Sequence, residues 1–174
     1  MRAITIQHRS VLEQLNTNGT YRAEIRNAYS SRRAAYEFMA NEYGYASCPI
    51  FLAPVGQKVE FCGVEFDNNH VAIELDIPDD FVRIQKYYDW SDFMYFLDLP
   101  DEFDSSMYAN VLEFGHCILL TCDKMDTDEA YQITVEELCK DWIVGYTKYL
   151  GKIMRLHNGS CGNNVLHELE FYTK

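Results

Sequence analysis

The chain has 174 residues, 48% hydrophobic and 14% aromatic, with a formal net charge of -12. A domain of about 150 residues already buries roughly 70% of its unfolded surface, so one globular domain over residues 1–174 is expected and wholesale disorder is excluded. With 15 Lys and Arg against 27 Asp and Glu, a general nucleic-acid binder is excluded too, because phosphate contacts need cations.

Ala3 to Gln7 alternates apolar and polar residues and predicts a short strand. Ser10-Val11-Leu12-Glu13 has the form of a capping box, with Val11, Leu12 and Leu15 as the apolar face of the helix and Asn18-Gly19 as its stop. A second helix is expected from about Ser31, with Ala34, Ala35, Phe38 and Met39 at helical spacing and Gly44 as its C-cap. The middle predicts strands at 49–53 and 59–66, then at 70–77, where Val71, Ile73, Leu75 and Ile77 share one face. Pro78-Asp79-Asp80 ends that strand, because proline donates nothing to a ladder.

Further on, Asp89 reads as the cap of a helix carrying Trp90, Phe93, Met94 and Leu97. A helix over about 103–114 follows, with Phe103, Met107, Val111 and Phe114 on one side, then a strand at 117–121 and a short strand at Tyr131–Ile133. Thr134-Val135-Glu136-Glu137 matches a second capping box. Val135, Leu138, Trp142, Tyr146, Tyr149 and Ile153 continue it at steps of three and four, predicting a helix to about Leu156. A Gly/Asn loop over 158–164 and a terminal strand over 165–171 close the chain. The order is not a regular β-α-β alternation, so the expected class is α+β: a mixed or antiparallel sheet with several packed helices.

No apolar run reaches the ~18 residues of a membrane span or has the shape of a signal peptide, so a soluble cytoplasmic protein with no membrane partner is expected. The six cysteines then read as reduced, mostly buried thiols.

The charge is uneven. Residues 1–45 hold six basic and four acidic residues, residues 46–140 five and twenty, and residues 141–174 four and three, giving +2, -15 and +1. A solvated acidic face explains this as surface chemistry; a carboxylate surface that mimics nucleic acid explains it as function.

Candidate chemistry is sparse. Glu74 and Asp76 share a strand face with Asp79 and Asp80 nearby, a pattern suited to acid-base work or a hard metal ion. His157, Cys161 and His167 match no common zinc spacing, and neither do His116, Cys117 and Cys122. Asp123, Asp126 and Asp128 lack the glycine and distal glutamate of a calcium loop. No metal is expected, and no Walker loop, dinucleotide fingerprint or nucleophile elbow occurs.

Three stretches stand in a distinctive order: Ile4-Thr5-Ile6-Gln7 with Gly19-Thr20-Tyr21-Arg22, then Glu74-Leu75-Asp76-Ile77-Pro78-Asp79-Asp80, then Gln132-Ile133-Thr134-Val135-Glu136-Glu137-Leu138. Over about residues 3–150 this resembles a family of small bacterial proteins of unknown function, with a TIQ strand, an ELEIPDD segment and a QATFWEL segment. Here QITVEEL stands in the third place, and no tryptophan precedes TIQ. A more remote likeness is to ADP-ribosyltransferase-like domains, through the opening strand, helix and glycine and a strand ending near Pro-Asp. That likeness implies an NAD-binding scaffold, active or catalytically degenerate. Gln7 and His8 would face the nicotinamide ribose, Arg22 or the Arg32/Arg33 pair would reach the pyrophosphate, and Tyr36 would stack on the nicotinamide. Gln132 takes the place of the transferase glutamate, with Glu136 as the substitute acid. The implied cleft is lined by Gln7, Tyr36 and Gln132. The competing expectation is a non-enzymatic acidic inhibitor, of phage type, that occupies the nucleic-acid channel of a basic protein partner.

Overall fold

A computed structural model of the chain describes residues 1–56, 69–98, 105–119, 125–126, 128–147 and 172–173. The elements in order are β1 (Arg2–His8), α1 (Arg9–Asn18), β2 (Thr20–Arg22), α2 (Arg33–Tyr43), β3 (Ile50–Pro54), β4 (His70–Asp76), β5 (Arg83–Lys86), α3 (Tyr87–Leu97), α4 (Ser105–Leu119), β6 (Tyr131–Val135), β7 (Glu137–Cys139), β8 (Ile143–Tyr146) and β9 (Tyr172–Thr173). Seven strands form one sheet in the order β5-β6-β3-β1-β4-β8-β9, and β2 with β7 forms a separate ribbon. Every pairing is antiparallel, so the fold is α+β with an antiparallel sheet.

β1 and β4 form the central pair, in register from Arg2↔Asp76 to His8↔His70. Side chains alternate across a strand, so the sheet presents two faces to two separate cores. On one face Ala3, Leu52, Val71, Ile73, Leu75, Ile133 and Val135 meet Val11, Leu12 and Leu15 of α1 and Leu138 of β7. On the other, Phe51 packs under α2, α3 and α4, where Ala35, Met39, Trp90, Phe93, Leu97 and Leu119 form the second core.

Glycines end α1 and α2 as expected: Gly19 at φ 82° and Gly44 at φ 68° take the left-handed conformation that L side chains resist. The start of α1 differs. Ser10 lies inside the helix, and His8 is the cap, its Nδ1 accepting the Ser10 N–H at 3.2 Å. α2 starts at Arg33, after a 3-10 turn over Ser30–Arg32. On α3 the N-cap is Lys86, and Asp89 sits within the first turn.

Three expectations are overturned. α4 runs on to Leu119, so residues 117–119 are helix rather than strand. Its expected apolar face is also wrong in part, for Met107 and Phe114 are exposed, while Gly115 and Leu119 turn inward. The helix expected from Val135 is absent over the described residues 135–147. There the chain is β6, a bend at Glu136, β7, a 3-10 turn over Lys140–Trp142, and β8. Val135, Ile143, Val144 and Tyr146 suit strands here, and pairing with β3, β5, β2 and β4 satisfies its backbone. The strands expected at 59–66 and 165–171, the loop at 158–164 and the helix positions Tyr149 and Ile153 lie outside the described residues. So do His157, Cys161, His167, Cys122 and Asp123.

Candidate functional site

The β2–β7 ribbon brings two of the expected residues together. Arg22 and Glu137 are register partners on adjacent strands, and Arg22 Nε donates to Glu137 Oε2 at 2.9 Å. The hydrogen bond and charge of Glu137 push the guanidinium further up its already high range. Glu136, at the bend between β6 and β7, stands 3.8 Å from Arg22 Nη1 and also accepts the Ala46 N–H at 2.9 Å. Ser47 Oγ donates to the Glu136 carbonyl at 2.8 Å, tying the bend to the chain after α2.

Arg22 lines a cavity of about 550 Å³, with Glu24, Glu37, Asn41, Tyr45, Ser47 and Cys48. That volume lies within the range of small-molecule sites. Burial pushes the Cys48 thiol up to about 11, so it stands there as a protonated, weakly nucleophilic group. Tyr45 also borders a smaller cavity of about 210 Å³, with Asp80, Arg83, Glu136 and Trp142. Burial raises the Tyr45 phenol, and its hydroxyl lies 3.4 Å from the Thr134 carbonyl that accepts from it.

The other expected residues do not line this cavity, although Tyr36 lies within electrostatic reach of Arg32 and Cys48. Gln7 shares a face with Thr5, to whose Oγ1 it donates at 2.8 Å, on the α1 side of the sheet. His8 caps α1, with its ring 5.9 Å from that of His70. Arg33 donates to the carbonyls of Ala28 and Arg26 and secures the turn before α2. Arg32 reaches Met94 Sδ at 3.4 Å and fastens α2 to α3. Tyr36 packs against Phe51, ring centroids 5.0 Å apart, under the helices. Gln132 is buried opposite Gln85 of β5, on the face that β6 and β5 turn toward α2. Gln7 and Gln132 thus lie on opposite faces, and no single cleft holds Gln7, Tyr36 and Gln132. Glu136 is not one helical step from Gln132, because the connection between them is strand and bend.

Glu74 and Asp76 are held by the first strand: Arg2 pairs with Glu74, and the amino group of Met1 lies 3.5 Å from Asp76 and 3.1 Å from Asp79. Among the described residues, no group of three or more His, Cys, Asp and Glu side chains is placed to hold a metal ion. Among them too, no helix is long and apolar enough to cross a membrane. The described cysteines are free: Cys48 is buried, Cys139 half-buried and Cys117 exposed.

Sequence reasoning missed Tyr45, Ser47 and Cys48 as lining residues. Their signal was the Tyr-Gly-Tyr-Ala-Ser-Cys run just past the Gly44 cap, where a helix ends and the backbone turns toward the β2–β7 ribbon. No family model, curated protein or solved structure matches the chain.

Proposed function

We propose that the protein is a non-enzymatic acidic interaction protein that occupies the basic surface of a partner protein. One observation carries this reading: Arg2, Arg22, Arg26 and Arg33, though exposed, are engaged by partners within the same chain, while many carboxylates stand exposed on the surface. Arg2, Arg22 and Arg26 are paired with Glu74, Glu137 and Glu24, and Arg33 is spent on backbone carbonyls. Asp80, Asp92, Asp98, Glu113, Asp126 and Asp128 are exposed. Such a surface steers and orients a cationic partner, and its attraction is screened by salt. Affinity measurements against a set of basic nucleic-acid-binding domains test it. Binding is expected at low ionic strength, falling steeply with added salt and competing with duplex DNA. Binding no stronger than that of an unrelated acidic protein of equal net charge overturns it.

A second reading, the nucleotide-binding scaffold, is supported by the cavity beside Arg22. There Arg22 leaves Glu136 and Glu137 to meet a phosphate, and NAD is the ligand to titrate. The absence of both binding and nicotinamide release removes this reading and leaves the first intact.

A further inference from the structure

α3 carries aromatic residues on both sides. Trp90, Phe93 and Leu97 turn inward to the helical core. Tyr88, Asp92, Tyr95 and Phe96 recur at steps of four, three and one, which places them on a single outward stripe. Tyr95 is 62% exposed, Tyr88 44% and Phe96 39%. The rings of Tyr95 and Phe96 meet edge to face, with centroids 5.8 Å apart. Large aromatic side chains exposed together on one helix face mark contact surfaces.

The charged residues of α3 itself are acidic; the neighbouring cations are Lys86 at its N-cap, which pairs with Glu129, and Arg32 beside Met94. α3 contains no Lys or Arg; Asp89 and Asp92 lie within it and Asp98 closes it. Aromatic faces attract cations. A guanidinium adds two further fits, since it stacks flat on a ring and donates in a fork to a carboxylate. Tyr95 and Phe96, one turn from Asp92, offer both surfaces to the same group.

We propose that the outer face of α3 is the docking site for an arginine-bearing segment of the partner protein. The inference rests on the basic-partner reading above and names the surface and the chemistry that reading leaves open.

Fluorescence anisotropy with a labelled oligoarginine peptide tests it, with oligolysine and oligoglutamate peptides of equal length as comparisons. Oligoarginine is expected to bind more tightly than oligolysine, and oligoglutamate not at all. The double substitution Tyr95→Ala with Phe96→Ala should weaken oligoarginine binding about tenfold or more, through loss of the ring contacts. Asp92→Asn should weaken it several-fold. Asp128→Asn removes an equal charge from an exposed site outside α3, and should leave affinity within about twofold. Hydrogen exchange on the natural chain is the companion measurement, with oligoarginine expected to protect the amides of residues 88–98 even if the double variant fails to fold.

Unchanged affinity in the double variant, or protection confined to another element, overturns the α3 site and leaves the basic-partner reading standing. Failure of the natural chain to bind any cationic peptide overturns both. A concentration-dependent dimer that the double substitution abolishes assigns the face to a second copy of the chain and overturns the proposal.

Discussion

Arg22 and Glu137 stand opposite each other in the β2–β7 ribbon, and the guanidinium is closed onto its own chain at 2.9 Å. Glu136 adds a second carboxylate 3.8 Å away. A phosphate entering the neighbouring cavity must therefore displace two carboxylates from one guanidinium. Replacing both, Glu136→Gln and Glu137→Gln, keeps the shapes and removes the competing charge. Calorimetric titration with NAD is expected to show affinity at least about tenfold higher for the double variant than for the natural chain. Equal affinities, or none in either protein, mean that the cavity does not take phosphates through Arg22.

Gln85 and Gln132 face each other across β5 and β6, and each has one buried amide atom with no hydrogen-bond partner, Oε1 and Nε2 respectively. Their other roles differ. Gln85 Nε2 donates to Tyr43 Oη and to Thr134 Oγ1, both at 2.9 Å. Gln85→Leu strips partners from two hydroxyls and should destabilise the fold by about 1–3 kcal/mol. Gln132→Leu removes an unsatisfied donor and should be neutral or stabilising by up to about 1 kcal/mol. Gln132→Glu places a carboxylate at this buried position and should be the most damaging of the three. Urea unfolding of the three variants checks the order; a strongly destabilised Gln132→Leu would mean that its amide holds a partner such as an ordered water.

The strand β4 was legible because its Val71, Ile73, Leu75 and Ile77 alternation needs only local sequence, and α1 and α2 because Gly19 and Gly44 end them. The stretch from Val135 misled because short strands broken by a bend and a 3-10 turn also bring buried side chains up at uneven steps. Val135, Leu138 and Ile143 are buried in one core without belonging to one helix face. β-branched residues at 133–135 and 143–144 favour strands, a signal that spacing alone does not register. The site was legible only residue by residue. Arg22 and Glu136 were both singled out, but their meeting depends on β2 pairing with β7 across more than a hundred residues, and no local pattern encodes that. The pairing of the arginines was illegible for the same reason: net charge counts them, whereas their carboxylate partners are fixed by tertiary structure.

At Gly115, α4 lies close against its neighbours. A Cβ there would stand 2.8 Å from Phe93 Cζ and 2.9 Å from Phe38 Cε1. Alanine favours a helix over glycine by about 1 kcal/mol, but overpacking a rigid core costs about 1–3 kcal/mol. Phe93 is fully buried and cannot swing into solvent, so the steric cost should prevail. Gly115→Ala is expected to lower stability by roughly 1–2 kcal/mol, and adding Phe93→Leu should recover part of the steric loss through a favourable coupling between the two sites. Additive effects in this double-mutant cycle would contradict the close approach.

Cys48 and Tyr43 make the fold sensitive to alkali. Burial holds the Cys48 thiol at about 11 against an ordinary 9.0, and the Tyr43 phenol at about 12 against 10.0. In both, the folded chain keeps its proton longer than the unfolded chain. Their contribution is therefore complete below pH 9 and is lost as pH rises through 9–11 for Cys48 and 10–12 for Tyr43. Each loss is on the order of 2 kcal/mol at its upper limit. Urea unfolding between pH 8 and pH 11 should show stability falling, and Cys48→Ala should flatten the early part of the fall whatever it does to stability at pH 8. Thiol labelling gives an independent reading: near pH 8 the exposed Cys117 should react promptly, and Cys48 only as the chain unfolds. Fast labelling of Cys48 in the folded protein, or a pH slope that Cys48→Ala leaves unchanged, would mean that the thiol lies open to solvent at the cavity wall.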